Sequence, residues 1–248
     1  MILRPQSVID ADRVTREQLI DGPDSQSSAL LAKLLDATCL SVGTTHGDIE
    51  DLCAAALRDN VRAVCVPTVY LKELPISELQ RAEIEIATVI NFPNGFAKTE
   101  TALFETERAI RDGATEIDFV QPIYAVKNRD WRAVEEFSRQ LVASFPNIIF
   151  KVILETGLLS ITELQTSVRC HAMSGTHIIK TCTGFGPRGA TVADIQTIRN
   201  TLLSMGMGAG VGIKASGKVG TRQAALELVR AGATRIGTSK SSLLLQEG

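Results

Sequence analysis

Ser174-Gly-Thr-His-Ile-Ile-Lys180, running into Thr181-Cys-Thr-Gly-Phe-Gly-Pro187, decides the fold. Gly175 reads as a helix C-cap, His177–Thr181 as a short buried strand, and the glycine-rich run as a turn. The same order recurs in Asp112-Gly-Ala-Thr-Glu-Ile-Asp118 and in Ala231-Gly-Ala-Thr-Arg-Ile-Gly237. The copies are spaced by about 60 residues, the length of two βα units in a barrel of roughly 250 residues. Working outward, β-type runs are expected at Leu34–Thr38, Ala63–Val66, Ile84–Asn91, Glu116–Gln121, Ile148–Glu155, His177–Thr181, Gly210–Ala215 and Arg235–Thr238. Helical periodicity fills the gaps at Asp48–Arg58, Ile76–Arg81, Thr99–Arg111, Trp131–Ser144, Ile161–Met173, Val192–Met205 and Arg222–Arg230. Eight strands alternating with helices in 248 residues predict an α/β fold, a parallel (β/α)8 TIM barrel. A doubly wound sheet is the fallback, but no Gly-x-Gly-x-x-Gly follows the first strand.

Residues 1–30 stand apart as an N-terminal extension, and 31–248 form the barrel domain. Asp10–Ile20 is predicted as a charged helix lying against the barrel, and Asp21–Ser28 as a turn-rich linker. The formal net charge of −2 and the 4% aromatic content give no footprint for nucleic acid or a membrane surface. No apolar run approaches the roughly 20 residues of a bilayer span, and Met1–Asp10 lacks the apolar core of a signal peptide. A cytoplasmic location is expected. The odd number of cysteines, five, without a Cys-x-x-Cys pair, reads as reduced thiols. The three histidines share no metal-ligand spacing with them, so neither a metal nor a cofactor is expected.

In such a barrel the working face is the C-terminal ends of the strands. Lys180 ends one apolar run, and Lys214, in Val-Gly-Ile-Lys-Ala-Ser-Gly, ends the next. A buried charge is costly without a partner, so a single lysine there would ordinarily snorkel or pair with an acid. Two on adjacent strands, about 4.8 Å apart, suggest a nucleophile and a neighbouring cation that keeps it unprotonated. Asp118, closing Glu-Ile-Asp, is the natural proton shuttle; its bland alternative is a structural salt bridge to the lysines. Asn91 and Glu155 read as caps of the following turns, and Cys65 as a small buried residue. Lys151 lies in the first half of its strand and is assigned to the barrel floor.

Eight ordered pieces resemble deoxyribose-phosphate aldolases. They are Leu-Asp-Ala-Thr at 35–38, Ala-Val-Cys-Val at 63–66, Ala-Thr-Val-Ile-Asn-Phe-Pro-Asn-Gly at 87–95, Glu-Ile-Asp-Phe-Val at 116–120, Lys-Val-Ile-Leu-Glu-Thr-Gly at 151–157, Ile-Lys-Thr-Cys-Thr-Gly-Phe at 179–185, Gly-Ile-Lys-Ala-Ser-Gly at 212–217 and Arg-Ile-Gly-Thr-Ser at 235–239. The resemblance implies a Schiff-base aldolase that interconverts 2-deoxyribose 5-phosphate with acetaldehyde and glyceraldehyde 3-phosphate. It implies Lys180 as the Schiff-base lysine, Lys214 as the cation that perturbs it, and Asp118 as the relay acid. Contacts to substrate and phosphate are expected from Asp36, Thr38, Thr183, Gly184, Gly217, Lys218, Gly237 and Ser239. The partners would be aldehydes and sugar phosphates, and the assembly a homo-oligomer, dimer or tetramer.

The chain departs from that family in places. The usual Ser-Gly-Gly-Ile-Arg is Ser216-Gly217-Lys218-Val219-Gly220, Asp-His-Thr is Asp36-Ala37-Thr38, and the last residues, Leu-Gln-Glu-Gly, lack the tyrosine tail of some members. Lys218 could clash with a phosphate or bind it. Two alternatives therefore stand beside the expected reaction: a related aldolase for a different or unphosphorylated aldehyde, or a barrel without activity that binds sugar phosphates.

Overall fold

The computed structural model describes residues 5–22 and 27–246. Eight parallel strands close into a barrel in sequence order, each paired with its neighbours and the last with the first. They are β1 (Leu35–Thr38), β2 (Ala63–Val66), β3 (Glu85–Ile90), β4 (Glu116–Val120), β5 (Ile149–Ile153), β6 (Ile178–Lys180), β7 (Gly212–Ser216) and β8 (Arg235–Thr238). This is the (β/α)8 barrel that the alternating pattern predicts. All strand residues except Thr38 and Glu85 are buried, because the helices cover the outer face while inward side chains fill the interior. Gly113, Gly175 and Gly232, the glycines of the sequence repeat, all have φ in the left-handed half, at 109°, 83° and 133°. Each ends a helix and turns the chain into β4, β6 or β8, which a side chain would resist.

Helices Ile76–Arg81, Thr99–Arg111, Trp131–Ser144 and Ile161–Met173 run over the expected ranges. The helix expected from Asp48 starts at His46, because Thr45 and Asp48 form a reciprocal cap: the Thr45 hydroxyl accepts from the Asp48 N–H and the Asp48 carboxylate from the Thr45 N–H. β7 starts two residues later than expected, since Gly210 and Val211 still donate to the Met207 carbonyl in a turn. Short helices at Ile123–Lys127 and Ser241–Gln246 lie in loops whose sequence carries no clear period.

The N-terminal helix spans Pro5–Asp21, longer at both ends than expected. Its Val8 and Ile9 pack on Ile149 and Ile178, near the N-terminal ends of β5 and β6. Its Asp12 enters the barrel floor, as described below. Positions 23–26 of the expected linker lie outside the described residues, and Ser28 opens a short helix to Ala32. No helix among the described residues is long and apolar enough to cross a membrane.

Candidate active site

Strand register places the two lysines side by side, since Lys180 at the end of β6 pairs with Lys214 in the middle of β7. A reciprocal lock fixes their height: the Thr181 hydroxyl donates to the Ser216 carbonyl and accepts from the Ser216 N–H, both at 3.0 Å. Asp118 on β4 receives both lysines on Oδ2, Lys180 Nζ at 2.6 Å and Lys214 Nζ at 2.9 Å. Its Oδ1 accepts from a third lysine, Lys151 Nζ, at 2.7 Å.

Lys151 therefore sits in the middle of the barrel and not on its floor. The expectation erred because β4 and β5 pair Asp118 directly with Lys151, so both stand at one level. Below them the ions alternate. Lys214 also bonds Asp36 Oδ2; Lys151 lies 2.6 Å from Glu116 Oε2 and 3.4 Å from Asp36 Oδ2. Arg235 then bridges Asp36 at 2.9 Å, both oxygens of Glu116, and Asp12 of the N-terminal helix at 2.6 Å. Arg62 closes the ladder on the other Asp12 oxygen at 2.9 Å. Four buried carboxylates thus meet three buried cations, Lys151, Lys214 and Arg235, and the half-buried Arg62 along the barrel axis. Such ions hold only when paired, because removal of one partner strands the other in a low dielectric.

The three lysines on Asp118 do not share one fate. Burial would lower all of them, and for Lys214 the two carboxylates Asp118 and Asp36 override it and raise the pKa above the ordinary lysine value. Lys151, with Asp118, Glu116 and Asp36 around it, is raised further. For Lys180 burial wins: Asp118 alone opposes it strongly, the Lys214 charge adds to it, and the pKa falls. Asp118 is held far below the usual carboxylate range, because three ammonium groups overcome its burial.

Above this ladder the C-terminal face opens into a cavity of about 500 Å³, and Lys180 is the lysine of the three that lines it. Thr38, Thr183, Gly184, Gly217, Lys218, Gly237 and Ser239 line it as well. Asp36 does not. It is fully buried beneath Lys214, bound to Lys214 and Arg235, so the expectation that it meets substrate is corrected to a place in the ladder. Gly237 has a physical reason to lack a side chain, since a Cβ there would lie 3.0 Å from Lys214 Cε. Glu155, φ 54°, caps a short turn and accepts from the N–H and hydroxyl of Thr183, which pins the loop after β6. Asn91 ties its own loop to Val120 and Ala97. Cys65 is fully buried and its thiol is pushed up chiefly by that burial, which fits a small core residue.

No protein-family model matches the chain. The deoxyribose-phosphate aldolase 1 of Bacillus licheniformis is 40% identical over 210 residues, 84% of this chain and 92% of that protein. A Thermoanaerobacter deoxyribose-phosphate aldolase is 36% identical over 220 residues, 88% and 96% of the two chains. The chain belongs to the deoxyribose-phosphate aldolase family. Solved structures agree. The tetrameric deoxyribose phosphate aldolase of Aeropyrum pernix superposes with a TM-score of 0.82 at 28% identity over 95% of this chain and 97% of that one. The aldolase QR15 gives 0.80 at 30% identity over 88% and 95%.

Against the deoxyribose-phosphate aldolase pattern, the departures at 218 and 220 acquire a structural sense. Lys218 takes φ +60°, the left-handed conformation glycine adopts freely, and it lines the mouth. Gly220 lies beside Lys240: a Cβ at 220 would meet Lys240 Nζ at 3.7 Å, an ordinary contact. Lys240 also lines the cavity, at the end of a loop Gly237-Thr238-Ser239-Lys240 whose sequence reads as a phosphate cradle, although the expected contact residues stop at Ser239. Glu116 was missed too, and a period-two reading of β4 would have found it on the same inward face as Asp118.

Proposed function

We propose that this chain cleaves 2-deoxy-D-ribose 5-phosphate to D-glyceraldehyde 3-phosphate and acetaldehyde through a Schiff base on Lys180. One observation carries the reading: of three lysines on one buried aspartate, the one with the depressed pKa is the one that lines the cavity. A larger fraction of free amine is then present near neutrality than for an ordinary lysine. Lys180 Nζ adds to the C1 carbonyl of the open-chain sugar, and water leaves to give the iminium. The iminium draws in the C2–C3 bonding pair while the C3 hydroxyl loses its proton. Glyceraldehyde 3-phosphate departs, the remaining enamine takes a proton at C2, and hydrolysis returns acetaldehyde and the free amine. Asp118, 2.6 Å from Lys180 Nζ, carries protons to and from that nitrogen, and Lys214 is the permanent cation beside it.

The phosphate end would rest at the loops after β7 and β8, where Lys218, Lys240 and Ser239 line the cavity around Gly217 and Gly237. Thr38, Thr183 and Gly184 would face the sugar carbons. The mouth's two ammonium groups favour a phosphorylated substrate over the unphosphorylated alternative. Turnover of 2-deoxyribose 5-phosphate, followed by release of both aldehydes, tests the reading, and the same assay with 2-deoxyribose separates the alternative. Equal kcat/KM for the two sugars would favour the unphosphorylated aldehyde, and no release from either would leave a binding protein. We extend to this chain a cytoplasmic location and a homo-oligomer, dimer or tetramer, which sedimentation would reject if it found only monomer.

A further inference from the structure

The barrel floor, opposite the Lys180 cavity, carries a second recess of about 160 Å³ that the reaction does not use. It lies between the N-terminal helix, the end of helix Val192–Ser204, the turn at 207–210 and the starts of β7 and β8. Arg13, Arg16 and Arg199 line it, against one carboxylate, Glu17. Arg13 gives Nη1 to Glu17 at 3.0 Å, which leaves its Nε buried and without a hydrogen-bond partner among the described residues. An unmet buried donor is a cost that a native structure ordinarily avoids.

Arg16 is held in place by two neutral acceptors, the carbonyls of Val229 at 2.9 Å and Arg230 at 3.3 Å. Burial and the like charge of Arg199 lower its pKa, while Asp21 and Glu17 act the other way. The stem of Arg199 crosses Gly232, where a Cβ would lie 2.7 Å from Arg199 Cδ. Glycine at 232 therefore admits the arginine to the recess as well as ending a helix. Gly208 and Ala209 also line it, and among the described residues their N–H groups make no backbone hydrogen bond.

The recess thus offers donors and almost no acceptors. Arg16 and Arg199 are like charges beside the apolar walls of Ile9, Leu202 and Ile213, and an anion between them would relieve that repulsion. Arginine forks match phosphate oxygens in pairs, and the volume is that of about five waters, enough for one phosphate group and a few more atoms. We propose that this floor recess binds a small phosphate-bearing anion, inorganic phosphate or a short phosphate ester, which ties the N-terminal helix to the starts of β7 and β8.

Calorimetric titration of the full chain with inorganic phosphate, at constant ionic strength set by chloride, tests this. Because phosphate would also enter the active-site mouth, the parent for the experiment carries Lys218→Gln and Lys240→Gln. That parent should still bind phosphate, and Arg199→Gln added to it should weaken binding by about 10-fold, a difference of 1.4 kcal/mol. Arg199 is exposed, so its replacement does not threaten folding. Arg13→Gln should act in the same direction. In the otherwise unaltered chain, Arg199→Gln should leave kcat/KM for the sugar phosphate unchanged, which separates this site from the active site. Glycerol 3-phosphate in the same titration distinguishes the sources: tighter binding than phosphate assigns the ester, weaker binding the free ion. Binding of neither by the parent, or an affinity unchanged by Arg199→Gln, would overturn the proposal.

Discussion

The cavity mouth and the ion ladder beneath it are built from the same residue types and behave in opposite ways. In the mouth, Lys218 and Lys240 stand in solvent and can meet a ligand. In the ladder, Lys151, Lys214 and Arg235 are fully buried and spent on Asp36, Glu116, Asp118 and Asp12. Lys180 lies on the boundary, 3% exposed, with one carboxylate where its neighbours have two or three. The difference teaches that burial alone does not make a lysine reactive. On the function proposed here, Lys180 is set apart by burial with too few counter-ions, and the ladder creates that shortage by occupying its carboxylates from below.

The largest effect should come from removing the boundary residue. Lys180→Leu is expected to lower kcat on the order of 10⁴-fold or more, as loss of a covalent nucleophile does. Lys214→Leu separates the electrostatic part. With the like charge gone, the Lys180 pKa rises, so the acid limb of the kcat/KM profile should move to higher pH. The sign follows from the amine being the active form: activity grows as pH climbs through the Lys180 pKa, which in the native chain lies below the ordinary lysine value. A limb that stays put would break the link between the two lysines.

Next in size is a break inside the ladder. Glu116→Gln leaves Lys151 and Arg235 short of a carboxylate and should cost about 3–5 kcal/mol of stability, read from urea midpoints. The residual folded enzyme should keep its KM, because Glu116 does not line the cavity.

This division of labour was only half legible in the sequence. The barrel was plain, because cap glycines 113, 175 and 232 repeat and each strand is a short apolar run. Lys180, Lys214 and Asp118 could be found because charge at the end of such a run is costly. What escaped reading depends on register across the barrel. Lys151 stands level with Asp118 only because β4 and β5 pair them, and Asp12 reaches Arg235 from a helix more than two hundred residues away. Asp36 was placed in the mouth by its position on β1, whereas its partners draw it into the ladder.

A smaller effect concerns a neutral group buried outside the ladder. His171 donates Nε2–H to Gln121 at 2.9 Å and accepts from Ser138 at 2.7 Å on Nδ1, and burial pushes its pKa down to about 3. The unfolded chain takes up this proton near pH 6.5 and the folded chain does not. Stability from this group is therefore full above pH 6.5 and falls below it, by about 3 kcal/mol at pH 4.5. His171→Gln should flatten that part of the curve of unfolding free energy against pH.

The mouth should show the smallest changes. Lys218→Ala and Lys240→Ala are each expected to reduce kcat/KM for the phosphorylated sugar about 10-fold, the worth of one charge-assisted hydrogen bond. They should barely touch turnover of 2-deoxyribose. An equal loss for both sugars would place these lysines on the sugar carbons and not on the phosphate.

The most direct measurement is borohydride reduction during turnover of 2-deoxyribose 5-phosphate, with the modified lysine located by peptide mass analysis. Our account predicts a single adduct on Lys180, absent in Lys180→Leu and formed more slowly at neutral pH in Lys214→Leu. An adduct on Lys214 or Lys151, or an active enzyme that traps none, would contradict it.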